Sequence, residues 1–160
     1  MNVSKDFLDF IELLNKYNSE YLIVGGYAVG LHGYPRYTGD LDIWINNSSQ
    51  NIDLLKKVIF DFGGPTSAID FTKLQVKPSS KNPFRGIGFG REPMRIEILS
   101  SLSGVNFSDC YKNAEEKKVN GVSIKYINYN DLKTTKQNSE RFKDKGDIQE
   151  LEKIKNWDKK

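Results

Sequence analysis

Three observations predict a chain of the α+β / α/β class, a mixed β-sheet flanked by helices. Helix-period and strand-period segments alternate through the first half of the 160 residues. Two further strand pairs follow, one carried by FRGIGFG and MRIEIL and one by a hairpin at Asn120-Gly121. From Tyr129 onward the pattern is helical to the end.

Taken in order, residues 4–17 form an amphipathic helix, with Phe7, Phe10, Ile11, Leu14 and Tyr17 on one face and Ser4 as its cap. Tyr21–Val24 is a short apolar run, expected as a buried strand. At Gly25-Gly26 the chain can turn sharply and approach a ligand without intervening Cβ atoms. Residues 27–32 make a short helix whose first free N–H groups face whatever lies over the glycines. Tyr34-Pro35 ends it. Asp40–Ile45 then alternates with period two, so Leu41, Ile43 and Ile45 point one way and Asp40 and Asp42 the other. Residues 46–50 are a polar loop. A second amphipathic helix over 52–62 turns Leu55, Val58, Ile59 and Phe62 inward and closes at Gly63-Gly64.

Residues 65–82 carry the weakest pattern, a short helix over 68–76 and then a lysine-bearing, turn-rich loop over 77–83. In MRIEIL, Met94, Ile96 and Ile98 share one side, and Arg95, Glu97 and Leu99 the other, with Arg85 or Arg91 as the cross-strand cation for Glu97. Residues 106–117 are expected as a helix with Phe107, Cys110, Tyr111 and Ala114 on one side. Asn120-Gly121 joins 118–119 to 122–127 as a hairpin. The tail comprises a helix opened by Asp131-Leu132-Lys133 with Asn130 as cap. A second helix over 139–157 has the apolar stripe Ile148, Leu151, Ile154 and Trp157.

Composition narrows the classes. With 28% charged and 38% hydrophobic residues the chain reads as one globular domain over 1–160. A net charge of +3 allows a nucleic-acid partner without arguing for one. Cys110 is the single cysteine, which excludes an internal disulfide and fits a reducing cytoplasm. Asp6, Asp9 and Glu12 interrupt the N-terminal apolar residues as no signal peptide allows, and no apolar run reaches membrane-spanning length.

The chemistry concentrates in the second strand. Two carboxylates side by side on one face repel, and a hard divalent cation, Mg²⁺ or Mn²⁺, is the natural counter-charge. Arg36 and Thr38 offer a guanidinium and a hydroxyl to phosphate oxygens, and Glu97 supplies a third carboxylate on a strand. A phosphate cradle beside an acidic cluster points to phosphoryl or nucleotidyl transfer.

The order strand, Gly-Gly, short helix, Asp-X-Asp on the next strand resembles the nucleotidyltransferase superfamily, with its DNA polymerase β-like fold. The string GGYAVGLHGYPRYTGDLDI is similar to a small prokaryotic branch that includes abortive-infection and toxin–antitoxin nucleotidyltransferases. The segment Lys136…Arg141-Phe142-Lys143-Asp144…Asp147 resembles the family's closing signature, so the likeness runs from about residue 21 to 151. It implies a minimal nucleotidyltransferase fold, with its core over about 19–128 and C-terminal helices over about 129–158. It also implies Mg²⁺-dependent transfer of a nucleoside monophosphate from a nucleoside triphosphate to a hydroxyl of tRNA or another RNA, a protein or a small molecule. Asp40 and Asp42 would hold two ions, and Glu97 would complete the second site and take the hydroxyl proton. The family has Asp where this chain has Glu97, a longer side chain that alters where the carboxylate sits. Gly25 and Gly26 would admit the phosphates, Lys136 and Arg141 would reach the triphosphate, and Lys143 and Asp144 would touch the nucleotide or brace that helix. An antitoxin-like protein is the partner the branch implies. Two other classes stay open: a nucleotide- or RNA-binding module without turnover, and an interaction protein of a toxin system.

Overall fold

The structure, a computed structural model, describes residues 3–35, 38–76, 86–138 and 142–158, with side chains over 145–155 in the last stretch. Ser4 caps helix α1 (Lys5–Lys16), its hydroxyl accepting from the Phe7 N–H at 3.3 Å. The helix buries Phe7, Phe10, Ile11 and Leu14 along one stripe, as their spacing predicts. Strand β1 (Tyr21–Val24) follows and is buried throughout. It lies inside a six-stranded sheet with β2 (Asp40–Ile45), β3 (Gly86–Phe89), β4 (Arg95–Leu99), β5 (Glu115–Val119) and β6 (Val122–Tyr126), in the order β3-β4-β2-β1-β6-β5. β1 runs antiparallel to β2 and parallel to β6, β2 runs parallel to β4, and both outer pairs are antiparallel.

The strand period of two divides the sheet's side chains between two cores. Tyr21, Ile23, Leu41, Ile43, Ile45, Ile96 and Ile98 pack with α1 and with α3 (Ser49–Phe62). On the other face Leu22, Val24 and Trp44 meet Ala28 and Val29 of α2 (Gly25–Leu31) and Cys110 of α4 (Phe107–Lys112). Leu132 of α5 (Tyr129–Gln137) and Leu151 of α6 (Phe142–Asp158) complete that core. Each fully buried Leu or Ile contributes about 1.5–3 kcal/mol to this arrangement. Asp40 and Asp42 therefore belong to the face shared with α2, α4, α5 and α6.

Several boundaries differ from the sequence pattern. Helix α3 starts at Ser49 because the Ser48 hydroxyl accepts from the Asn51 N–H at 3.2 Å, which draws the end of the polar loop into the first turn. Residues 68–76 are not one helix: the chain makes two 3₁₀ turns, Thr66–Ala68 and Phe71–Leu74, the second capped by Asp70. The helix expected over 106–117 ends at Lys112, and Glu115–Val119 pairs antiparallel with β6 instead. Asn120 and Gly121, at φ 49° and 84°, form the expected tight turn. Asn128, not Asn130, caps α5, accepting from the Asp131 N–H at 2.8 Å. In α6, Leu151 is buried while Ile148 and Ile154 are half-buried. The 77–83 loop, Phe84, Arg85 and the Trp157 side chain lie outside the described residues. Cys110 packs in the core; burial first, and then the neighbouring Asp131 carboxylate, push its thiol pKa up to about 12. Among the described residues no helix is long and apolar enough to cross a membrane.

His32 closes α2 and ties it to the β6–α5 junction. Its Nε2 donates to the Ile127 carbonyl at 2.8 Å, and Nδ1 lies 3.7 Å from Glu115 Oε2. Burial lowers its pKa below 6.5, opposed by the Ile127 carbonyl and Glu115 and assisted by Lys155 and Lys117. The unfolded imidazole then takes its proton at a higher pH than the folded one. Stability is therefore full above pH 6.5 and declines as the pH falls from there toward the lower folded value. His32→Gln, which keeps a donor for Ile127 but does not titrate, should flatten this limb in urea unfolding curves. An unchanged slope in the variant would exclude His32 as its source.

Candidate active site

Gly25 and Gly26 form the first turn of α2 rather than a loop before it, and Gly25 sits at φ +66°. A Cβ at Gly25 would overlap Asp42 Oδ2, and one at Gly26 would come within 2.6 Å of Thr38 Oγ1. The glycines thus let the start of α2 seat directly against the segment that carries the carboxylates.

The sheet register brings the acidic residues together. Asp42 lies opposite Val24 on β1 and opposite Glu97 on β4, and Asp40 lies opposite Arg95. Residues two apart on a strand share a face, so Asp40, Asp42, Arg95 and Glu97 form a block across two strands about 4.8 Å apart. Glu97 is paired within its own strand: Arg95 Nε donates to Glu97 Oε1 at 2.5 Å and Arg95 Nη1 to the Gly90 carbonyl at 3.1 Å. Arg95, whose shared face with Glu97 was legible from the period, takes the place expected of Arg91, while the other expected cation, Arg85, lies outside the described residues. Gly88 of β3 stands opposite Glu97, where a Cβ would meet Arg95 and lie 2.7 Å from both carboxylate oxygens. Glu92, unassigned by the sequence pattern, reaches Gly39, one residue before Asp40.

Asp40 Oδ1 is buried without a hydrogen-bond partner among the described residues. A bare carboxylate oxygen in that setting is costly, and a hard cation is one group that would satisfy it. Asp40 and Asp42 fit such an ion. Glu97, held by Arg95, does not join them as it stands: among the described residues no three acidic, imidazole or thiol groups gather at one point.

The remaining predicted residues are distributed differently. Thr38 faces Gly26 at the front of the site. Lys136 is buried between α5 and α6, with Nζ 3.3 Å from Asp147 Oδ2 and side-chain exposures of only 9% and 3%. It is a brace between the helices, joined by Lys133–Glu152 at 2.6 Å, rather than an extended cation. Arg36 and Arg141 lie outside the described residues, as do the side chains of Lys143 and Asp144.

No family model and no curated protein matches the chain. Among solved structures it is similar to the crystal structure of a Thermotoga maritima protein described as a "putative nucleotidyltransferase". The TM-score is 0.54 at 14% identity, over 94% of this chain and 89% of that one. At that identity the likeness speaks for architecture: the six-stranded mixed sheet with helices on both faces is the nucleotidyltransferase fold.

Proposed function

We propose that the chain is a nucleotidyltransferase, moving a nucleoside monophosphate from a nucleoside triphosphate to a hydroxyl acceptor. One observation carries the reading: Asp40 and Asp42 share a strand face with Glu97 directly against the glycine turn of α2, on a fold common to the Thermotoga maritima protein. Asp40 and Asp42 are the donors for Mg²⁺ or Mn²⁺, two ions per site, with Glu97 joining once it leaves Arg95. Bound there, the ions would neutralise triphosphate charge and acidify the acceptor hydroxyl. Gly25 and Gly26 bring the start of α2 directly against Asp42 and Thr38, beside which the phosphate oxygens would bind, and Arg36 and Thr38 would donate to them. Arg141 and Lys143 would add positive charge for the triphosphate, and Lys136 braces α5 against α6. The hydroxyl oxygen attacks the α-phosphorus as the bond to the β-phosphate oxygen breaks. Pyrophosphate leaves, and the hydroxyl proton passes to Glu97.

The acceptor is a tRNA or other RNA, a protein or a small molecule. The RYTGDLD segment favours a toxin–antitoxin or phage-defence role in the cytoplasm, with an antitoxin-like protein as partner. The test incubates the protein with each α-phosphate-labelled nucleoside triphosphate, Mg²⁺ and total cell RNA or protein, beside an Asp40→Ala/Asp42→Ala control. Label transferred by the wild type alone supports the reading and identifies nucleotide and acceptor class. The Arg95–Glu97 pair favours a second reading, a nucleotide-binding module without turnover. Nucleotide-dependent thermal stabilisation with no label transferred anywhere would select it.

A further inference from the structure

We infer that Arg95 is a positioning residue that holds Glu97 out of the cation site until a divalent cation competes for it. This rests on the cation site proposed for Asp40 and Asp42. Arg95 is not a spare surface cation. Its Nε is committed to Glu97 Oε1 at 2.5 Å and its Nη1 to the Gly90 carbonyl at 3.1 Å. Its remaining amino group lies against Gly88, where any side chain would collide with the pair. Three strands thus contribute to one fitted notch: β3 the missing side chain, β4 the pair, and β2 the two aspartates alongside in register.

The charges in this block explain why the pair exists. Asp40, Asp42 and Glu97 on neighbouring positions repel, and the Arg95 guanidinium, opposite Asp40, offsets that repulsion when no cation is bound. The pair is also breakable. Arg95 is 39% and Glu97 28% exposed, a setting in which ion pairs are weak enough for a divalent cation to displace. Glu97 then has two exclusive partners, Arg95 or the cation beside Asp42. Release of Glu97 simultaneously frees the Arg95 guanidinium, opposite Asp40 on the neighbouring strand, to donate to a phosphate oxygen.

The test measures Mn²⁺ affinity without nucleotide, by calorimetry and by the electron-spin signal of free Mn²⁺. It uses the full chain, Arg95→Gln, Arg95→Lys, Glu97→Gln and the Arg95→Gln/Glu97→Gln double variant. Arg95→Gln should tighten Mn²⁺ binding about tenfold, the scale of one charge-assisted hydrogen bond. Arg95→Lys, too short to hold both Glu97 and Gly90, should tighten it by less, and serves if Arg95→Gln does not fold. In the Glu97→Gln background, Arg95→Gln should change affinity less than threefold. Equal tightening in both backgrounds would reduce Arg95 to a distant charge, and no tightening in either would remove the competition; each overturns the inference while leaving the cation site intact. A wild type that binds Mn²⁺ no better than Asp40→Ala/Asp42→Ala would overturn the cation site, and the inference with it.

Discussion

Asp42→Asn is expected to keep the fold and to lose nucleotidyl transfer by about 10³-fold or more, equivalent to about 4 kcal/mol of transition-state stabilisation. Asp42 stands at the centre of the carboxylate block, between Val24 of β1 and Glu97 of β4, with the start of α2 packed against its carboxylate. The amide has nearly the same shape, so the seating against Gly25 survives. The melting temperature should thus move far less than the activity. The two readouts therefore move independently, unlike those of a variant that loses activity by unfolding. Transfer within tenfold of the wild type, measured with label on the α-phosphate, would take Asp42 out of the chemistry.

Gly25→Ala should damage both readouts, for two separable reasons. The backbone there is at φ +66°, where an L side chain costs about 1–2 kcal/mol. Its Cβ would also collide with Asp42 Oδ2, forcing either the carboxylate or the start of α2 to move. Together these should remove about 2–4 kcal/mol of stability. Displacement of Asp42 by about 1 Å should lower transfer at least about 100-fold. Gly63 provides the control. It too has a positive φ, 89°, at the end of α3, but a Cβ there meets nothing within 4 Å. Gly63→Ala should therefore show the backbone cost in a thermal melt and retain transfer. If both variants lose activity equally, the collision with Asp42 is not the cause.

What the sequence made legible was governed by local periodicity. Tyr21–Val24 and Asp40–Ile45 fall where the apolar run and the two-residue alternation put them, because a strand buried on one or both faces leaves that imprint directly. The division between Ile96/Ile98 and Arg95/Glu97 was legible for the same reason. Residues 115–117 were not. Glu-Glu-Lys favours helix, and Phe107, Cys110, Tyr111 and Ala114 extend a helical face toward it. The hydrogen-bond ladder offered by β6 overrides that preference at the sheet edge. The charges then protect β5 as an exposed edge.

Within the candidate site, the carboxylates were visible and their electrostatic partner was not. Arg95 shares a face with Glu97 by simple alternation, yet choosing it over Arg91 requires knowing that Gly88 leaves the space. Lys136 illustrates the opposite limit. A lysine late in α5 suggests reach toward solvent or phosphate, and only the packing of α6 across it reveals Asp147 as its partner. Glycines at 25 and 26 pointed to a tight approach, but not to the carboxylate and hydroxyl that make them necessary.

The parallel pairing of β2 with β4 has a consequence for how the protein folds. Asp42 and Glu97 are brought side by side across all of α3, both 3₁₀ turns and β3, so the block is absent from any partly folded chain that lacks this long-range zipper. Pairings of this kind are slow to close, and here closure brings like charges together. A register slip of one residue would have a sharp penalty, turning Asp40 and Asp42 into the layer of Leu41 and Ile43 beneath α1 and α3. The carboxylates therefore act as a register lock: the residues that make the site reactive also exclude the neighbouring misfold, and a competent site certifies a correctly threaded sheet.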